Sequence, residues 1–336
     1  MVQTFYRSMS IAALMLSTGV AANAASYTTF DPPGSIFTAA RSIDANGVVV
    51  GDYSTDNYTA HGFMRAADGT IIVFDPKGSG VTEPFGIDAS GRIYGDYVSA
   101  GNRSKYHGFI RESNGSINTF DVPQAHGFTR VLGFQSQGGL TGWYEGHHNL
   151  PTGWLRTPDG AISTFKLPKS IYTIPNGINS AGVVTGVYVA KDAGKIDSFI
   201  RTPDGTLTTF GGPQHAEADS YAINTDGVIV GALYGGHQNG NAFIRNPDGS
   251  LATFKPKGST ETLPYAINAS GAITGIYSTK DKVQHGFLRT PDGSVSNIDP
   301  PDSVGGVTAN SINDNGLIVG WYKGSDGLNH GFIRNP

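Results

Sequence analysis

Six side chains suited to binding a polar ligand stand at positions that differ between otherwise similar segments of this chain. They are Arg41, Glu83, Arg130, Asp219, Tyr221 and Tyr265. An aromatic ring stacks on the apolar face of a sugar, while charged and amide groups bond its hydroxyls. The mixture therefore favours a neutral or acidic carbohydrate as ligand. The alternative is that these residues fill a watery channel without binding anything.

Two adjacent histidines, His147 and His148, are outer candidates for the same site. They stand in the most divergent segment of the chain, in a loop where both side chains can approach one ligand. The sequence has no HExxH motif, no acidic calcium-binding loop and no cysteine. We therefore expect no metal and no other cofactor.

The sequence does not single out a catalytic residue. It contains no nucleophile elbow, phosphate-binding loop or dinucleotide fingerprint in the strand–turn–helix setting that each requires. A carboxylate pair such as Glu83 and Asp219 would suit glycoside hydrolysis if the two stood about 5 to 10 Å apart. A histidine beside a tyrosine or arginine would suit proton abstraction from a uronic acid. A glycoside hydrolase or a polysaccharide lyase is thus the alternative to a binding module.

The elements that position these residues belong to a unit that recurs seven times, and we number the copies repeats one to seven. One glycine marks the central strand of each copy, at intervals of 44 to 47 residues: Gly51, Gly95, Gly142, Gly186, Gly231, Gly275 and Gly320. Each copy contains about four short runs of β-branched and aromatic residues separated by glycine turns. A period of this length with four strands is typical of a β-propeller blade.

The two ends of the chain complement each other. Repeat seven stops at His330–Arg334 without a fourth strand, and Tyr27–Pro32 has the sequence of such a strand, as in Ile117–Pro123. A closed ring pairs this strand and hides both sheet edges. The sequence therefore predicts an all-β fold, a seven-bladed β-propeller of four-stranded blades over residues 25–336, closed by the N-terminal strand.

Several polar residues recur at one position in many repeats, which favours a structural role. Seven arginines do so: Arg65, Arg111, Arg156, Arg201, Arg245, Arg289 and Arg334. Six of them precede a turn aspartate or asparagine by three residues, which favours a charge-assisted bond that closes the hairpin. Four histidines recur as well: His61, His107, His285 and His330. A single chemical event does not need four copies of one group, so we assign these residues to the scaffold.

The string from I-N-x-x-G-x-I-V-G through H-G-F resembles the extracellular repeat family named for its His-Ala-Phe motif, the HAF repeats. The resemblance extends from about Tyr27 to the end of the chain. This chain differs in having H-G-F in place of H-A-F, and arginine where many members have tryptophan. The resemblance implies a secreted bacterial protein of propeller-like form and leaves the activity open.

The first residues have the features of a signal peptide. An almost uncharged apolar run covers residues 11–22, and Ala22 and Ala24 are small residues at the positions that a signal peptidase recognises. The run is too short to span a bilayer, and no second apolar stretch of about 18 residues follows it. We expect cleavage after Ala24, a secreted or periplasmic mature protein, and no membrane span.

The charge balance limits the choice of partner. Lys and Arg number 23 against 27 Asp and Glu, so the net charge of −4 gives no strong basic field to attract nucleic acid. We expect a polysaccharide or another envelope component as the partner of a monomeric protein. A structural envelope protein without a small ligand is the further alternative.

Overall fold

The computed structural model describes residues 25–146, 150–192, 194–238 and 240–336. The predicted signal peptide and the pair His147 and His148 lie outside these ranges. The described residues form 28 β-strands with only short 3-10 turns such as Pro213–His215, so the all-β prediction is confirmed. Among them, no helix has the length and apolar character needed to cross a bilayer.

The strands follow the repeats. Strand β1 is Tyr27–Phe30, and repeats one and two form β2 (Phe37–Ile43), β3 (Val49–Ser54), β4 (His61–Arg65), β5 (Ile71–Phe74), β6 (Ser79–Ile87), β7 (Ile93–Ser99), β8 (Asn102–Arg111) and β9 (Ile117–Phe120). Repeats three and four form β10 (Thr129–Phe134), β11 (Leu140–Glu145), β12 (Pro151–Arg156), β13 (Ile162–Phe165), β14 (Ser170–Ile178), β15 (Val184–Ala190), β16 (Ile196–Arg201) and β17 (Leu207–Phe210). Repeats five and six form β18 (Glu217–Ile223), β19 (Ile229–Tyr234), β20 (Asn241–Arg245), β21 (Leu251–Phe254), β22 (Ser259–Ile267), β23 (Ile273–Thr279), β24 (Gln284–Arg289) and β25 (Val295–Ile298). Repeat seven forms β26 (Ser303–Ile312), β27 (Ile318–Gly324) and β28 (Asn329–Arg334).

Five repeats form separate four-stranded antiparallel sheets, β6–β9, β10–β13, β14–β17, β18–β21 and β22–β25. The other eight strands form a single sheet, because a parallel bridge between Phe37 and Asn329 joins β2 to β28. The Asn329 amide donates to the Ile36 carbonyl at 3.3 Å. The prediction of seven four-stranded blades is therefore wrong in its count, because the structure has five four-stranded blades and one eight-stranded sheet in which repeats one and seven are joined.

The first strands of the repeats surround a common axis. Strands β2, β6, β10, β14, β18, β22 and β26 each contact the next in the series, and β26 contacts β2. Apolar clusters fill the space between neighbouring sheets, as where Val50 packs with Ile93 and Phe109. The repeats therefore form a closed ring whose first strands all face one channel.

The N-terminal strand pairs with the last repeat, as predicted. Strand β1 lies antiparallel to β28, from Tyr27 opposite Arg334 to Phe30 opposite Gly331. Phe30 is buried and its ring meets the ring of Phe63 edge-on. This strand therefore joins the two ends of the chain.

The recurring arginines stabilise the ring in a way that the sequence did not predict. Six guanidinium groups lie over a phenylalanine in the last strand of the preceding repeat, at 4.7 to 5.6 Å from the ring centroid, in the pairs Arg65–Phe30, Arg111–Phe74, Arg156–Phe120, Arg201–Phe165, Arg245–Phe210 and Arg289–Phe254. The guanidinium has a different partner from the predicted turn aspartate: the Arg65 Nη1 atom donates to the Ala66 carbonyl at 3.3 Å, while Asp68 accepts from the Thr70 amide. The arginines thus link repeats by cation–π contacts.

The recurring histidines have structural partners. The Nδ1 atom of each bonds an aspartate at the end of a last strand, in the pairs His61–Asp75, His107–Asp121, His285–Asp299 and His330–Asp31. Each ring also packs on a tyrosine of its own repeat, as His107 does on Tyr97. These contacts agree with the prediction that the histidines serve the scaffold.

Candidate functional site

One extra residue in each first strand is directed at the channel by a β-bulge. In every repeat the pairing between first and second strand skips one residue directly after the partner of the recurring glycine, and these seven residues are Arg41, Phe85, Leu132, Asn176, Tyr221, Tyr265 and Asn310. The recurring glycine opposite the bulge permits the close approach of the strands. A Cβ atom at Gly320 would stand 1.8 Å from the Thr308 carbonyl oxygen, so no larger residue fits there. A bulge re-aims a side chain in this manner.

All seven bulge residues line a central cavity of about 290 Å³. A second cavity of about 400 Å³ adjoins it and shares Arg41, Tyr265 and Asn310 with it. Its other lining residues include Gln284, which follows the loop between β23 and β24, and Trp321 on β27. We call this second cavity the channel mouth, because it lies where the variable loops leave the sheets.

Two of the predicted residues form an aromatic cluster beside the channel. The rings of Tyr221 and Tyr265 meet edge-on with centroids 6.3 Å apart, and the Tyr221 hydroxyl bonds the Tyr234 hydroxyl at 3.2 Å. Burial raises the pKa of Tyr265 to about 12 and the pKa of Tyr221 further still. Both phenols are therefore neutral and able to donate a hydrogen bond at ordinary pH.

Asp219 is two residues before Tyr221 on β18. Burial, with a smaller contribution from the charge of Glu217, raises the pKa of Asp219 to about 6. Its Oδ1 atom is buried and has no hydrogen-bond partner in the part of the chain that the structure describes. This carboxyl group is therefore able to carry a proton near neutral pH.

The other predicted charges form one network across repeats one to three. The Arg41 Nε atom lies 2.7 Å from Asp52, and the Arg130 Nε atom lies 2.7 Å from Asp96. Glu83 stands between the two arginines, at 4.0 Å from Arg41 and 3.4 Å from Arg130. Glu83 lies on β6 in repeat two and Asp219 on β18 in repeat five, and their suitability as a catalytic pair stays a prediction.

Asp96 is the most deeply buried group of this network. Its side chain is inaccessible to solvent, and its Oδ2 atom accepts from Arg130 and from the Val131 amide. Burial raises the pKa of Asp96 to about 7, even though the charge of Arg130 lowers it. Three carboxylates and two guanidiniums share the network, so it is poised to bind one proton near neutral pH.

Trp321 and Gln284 also line the channel mouth and were not among the predicted site residues. Trp321 directly follows the recurring glycine of repeat seven, a position held by six further residues in the other repeats: Asp52, Asp96, Trp143, Val187, Ala232 and Ile276. That variability is the same signal that identified the bulge residues, and it was available in the sequence. Gln284 does not stand at a position that the repeats marked as variable, so the sequence did not point to it.

Comparison with solved structures shows the β-propeller fold, so that prediction is confirmed. Virginiamycin B lyase from Staphylococcus aureus, determined with quinupristin, is 14% identical with a TM-score of 0.62, covering 92% of this chain and 99% of that chain. Puromycin hydrolase is 14% identical with a TM-score of 0.59, over 88% of this chain and 52% of that chain. The β-propeller domain of the Trilobed protease from Pyrococcus furiosus is 12% identical with a TM-score of 0.58, covering 88% of this chain and 95% of that chain. At these identities the likeness concerns the fold and not the activity.

No family model matches the chain, and no curated protein matches it. Among the described residues, no group of three or more histidines and carboxylates is arranged to hold a metal ion.

Proposed function

We propose that this protein is a secreted binding module that holds a carbohydrate at the channel mouth. The convergence of the bulge residues with Trp321 carries this proposal. Trp321 and Tyr265 offer aromatic faces, while Arg41, Gln284 and Asn310 offer hydrogen-bonding groups in the same cavity. Its volume of about 400 Å³ lies within the range of about 300 to 1,000 Å³ usual for small-molecule sites.

The polar groups of this cavity are held in place before a ligand arrives. The Gln284 Nε2 atom donates to the Val307 carbonyl at 3.0 Å and to the Thr308 hydroxyl at 2.9 Å. The Asn310 Nδ2 atom donates to the Ala40 carbonyl at 2.8 Å. The side-chain amide oxygens of Gln284 and Asn310 are able to accept a hydrogen bond from a sugar hydroxyl. Groups that are already ordered lose less entropy on binding, which favours affinity.

Within this proposal we count the eight-stranded sheet as two blades joined by the single Phe37–Asn329 bridge, which gives a seven-bladed ring. The predicted signal peptide and the resemblance to HAF repeats support export to the periplasm or beyond. A polysaccharide or another envelope glycan is then the accessible class of ligand.

The first test is titration calorimetry of purified protein against oligosaccharides of cellulose, chitin and polygalacturonate. We expect at least one series to bind, and we expect Trp321→Ala to weaken binding tenfold or more, about 1.4 kcal/mol. Trp143→Ala is the matched control, because Trp143 holds the same position in repeat three and stacks on Phe128 as Trp321 packs on Phe37. The control should bind like the unaltered protein. Equal loss in both variants, or binding by neither variant nor parent, would contradict the proposal.

A glycoside hydrolase or polysaccharide lyase is the second candidate. The placement of Asp219 favours it, because its buried Oδ1 atom has no hydrogen-bond partner among the described residues and Tyr221, two residues later, lines the channel. A buried carboxyl group with a pKa of about 6 suits a general acid near neutral pH. If the protein is an enzyme, it should release reducing or unsaturated ends from the polysaccharide it binds. Asp219→Asn should then lower turnover by at least a hundredfold while oligosaccharide affinity changes little. Binding with no product over a long incubation would reject this candidate and leave the binding module.

A further inference from the structure

A third cavity lies beside the channel mouth, where repeats seven and one meet. Its volume is about 640 Å³, and its lining includes Phe37 at the start of β2, Tyr58 in the loop between β3 and β4, Leu328 in the turn before β28 and Asn329 at the start of β28. We call it the outer groove. All of these segments lie on the same rim of the ring as the variable loops.

The outer groove and the channel mouth share one aromatic wall. Phe37 lines the outer groove and Trp321 lines the channel mouth, and their ring centroids are 5.7 Å apart. Aromatic rings at this separation are in direct contact. A ligand seated against Trp321 therefore stands next to the inner end of the outer groove.

The outer groove combines apolar faces with uncharged polar groups. Tyr58 is 70% exposed and Leu328 is 36% exposed, and Asn57 and Asn329 line the same space. Among the described residues of the lining, Asp56 carries the one formal charge, and its Oδ1 atom already accepts from the Tyr58 and Thr59 amides. These bonds lower the pKa of Asp56, so it remains charged while it fixes the loop. This chemistry suits an uncharged, hydroxyl-rich chain better than an ionic ligand.

We propose that the outer groove binds further units of the same glycan chain, so that the ligand is an oligosaccharide running from the channel mouth outward between repeats seven and one. This inference rests on the proposed function and adds to it the length and direction of the ligand. Each of the two cavities is large enough for a small-molecule ligand on its own. Two adjoining sites of matching chemistry on one rigid rim bind a chain that is several units long.

The test is the dependence of affinity on chain length. Calorimetry compares the dimer and the hexamer of whichever series binds, for the parent protein and the variants Tyr58→Ala and Trp321→Ala. In the parent we expect the hexamer to bind at least tenfold more tightly than the dimer. Tyr58→Ala should remove most of that gain and leave dimer affinity unchanged, whereas Trp321→Ala should weaken both. Tyr58→Phe should retain the gain, because it keeps the ring.

Val73→Ala is the control for loss of an exposed apolar side chain, since Val73 is 51% exposed on β5 away from the groove. Equal affinity for dimer and hexamer, with both still dependent on Trp321, would overturn the proposal that the outer groove binds glycan units and would leave the proposed function standing. A length dependence that Tyr58→Ala does not alter would also overturn it. Absence of binding by every oligosaccharide would overturn the proposed function and this inference together.

Discussion

A chain that begins at residue 33 should be less stable than one that begins at residue 25 by several kcal/mol. The shorter chain lacks β1, so residues Tyr27 to Phe30 no longer pair with β28. The edge of β28 that β1 covers is then exposed to solvent. Loss of the Phe30 ring alone is expected to cost about 3 to 5 kcal/mol, the usual range for Phe→Ala in a core. The ring packs in a cluster with Phe63 and lies under Arg65, and all of these contacts disappear.

Urea denaturation of both chains measures this loss. Phe30→Ala separates the effect of the ring from the effect of strand pairing, and Thr28→Ala is the control, because Thr28 is exposed on the same strand. Thr28→Ala should leave the midpoint almost unchanged. A chain without β1 that unfolds at the same urea concentration as the longer chain would show that closure by this strand does not stabilise the ring.

Arg130→Ala should lower the free energy of unfolding by about 1.4 kcal/mol more at pH 8 than at pH 5, because it removes the cation that pairs with the buried carboxylate of Asp96. The penalty should shrink at pH 5. Burial raises the pKa of Asp96 to about 7 in the folded protein, well above its ordinary value of 3.8. The folded state therefore binds more protons than the unfolded state between about pH 4 and pH 7, and stability falls as the pH rises through that window.

Removing Arg130 takes away a charge that lowers the pKa of Asp96, so the neutral form persists to higher pH in the variant. At pH 5 the protonated group needs no cation, and the variant loses mainly the packing of the arginine over Tyr106. Asp96→Asn in combination with Arg130→Ala is the control, since the amide does not titrate. The double variant should show a smaller and pH-independent loss. An equal penalty for Arg130→Ala at pH 5 and pH 8 would refute this account of Asp96.

Much of the architecture was predictable because the repeat is encoded by local chemistry. The glycine turns and alternating strands fix a four-stranded unit, and the match between Tyr27–Pro32 and Ile117–Pro123 identifies the closing strand. The joining of repeats one and seven into one sheet was not predictable, because it depends on a single bridge from Phe37 to Asn329. A contact between residues so far apart in sequence leaves no periodic signal.

The site residues were predictable only where the residue types at one equivalent position could be compared between the seven repeats. Arg41, Tyr221 and Tyr265 do line the channel, because the bulge places the same position of every repeat there. The ion pair between Arg130 and Asp96 joins two repeats, so the spacing of residues within a single repeat could not predict it. The stacking of the repeated arginines on the preceding repeat was missed for the same reason.

The most direct test of the account is a crystal structure of the protein with a bound hexasaccharide from the series that calorimetry selects. We predict one sugar ring packed within about 4 Å of Trp321 and hydroxyls within about 2.7 to 3.2 Å of the Gln284 and Asn310 amides. Further units should lie along Phe37 towards Tyr58. A saccharide bound instead on the opposite rim, among the turn residues Asn179, Asn224 and Asn268, would contradict the central claim that the channel mouth is the binding site.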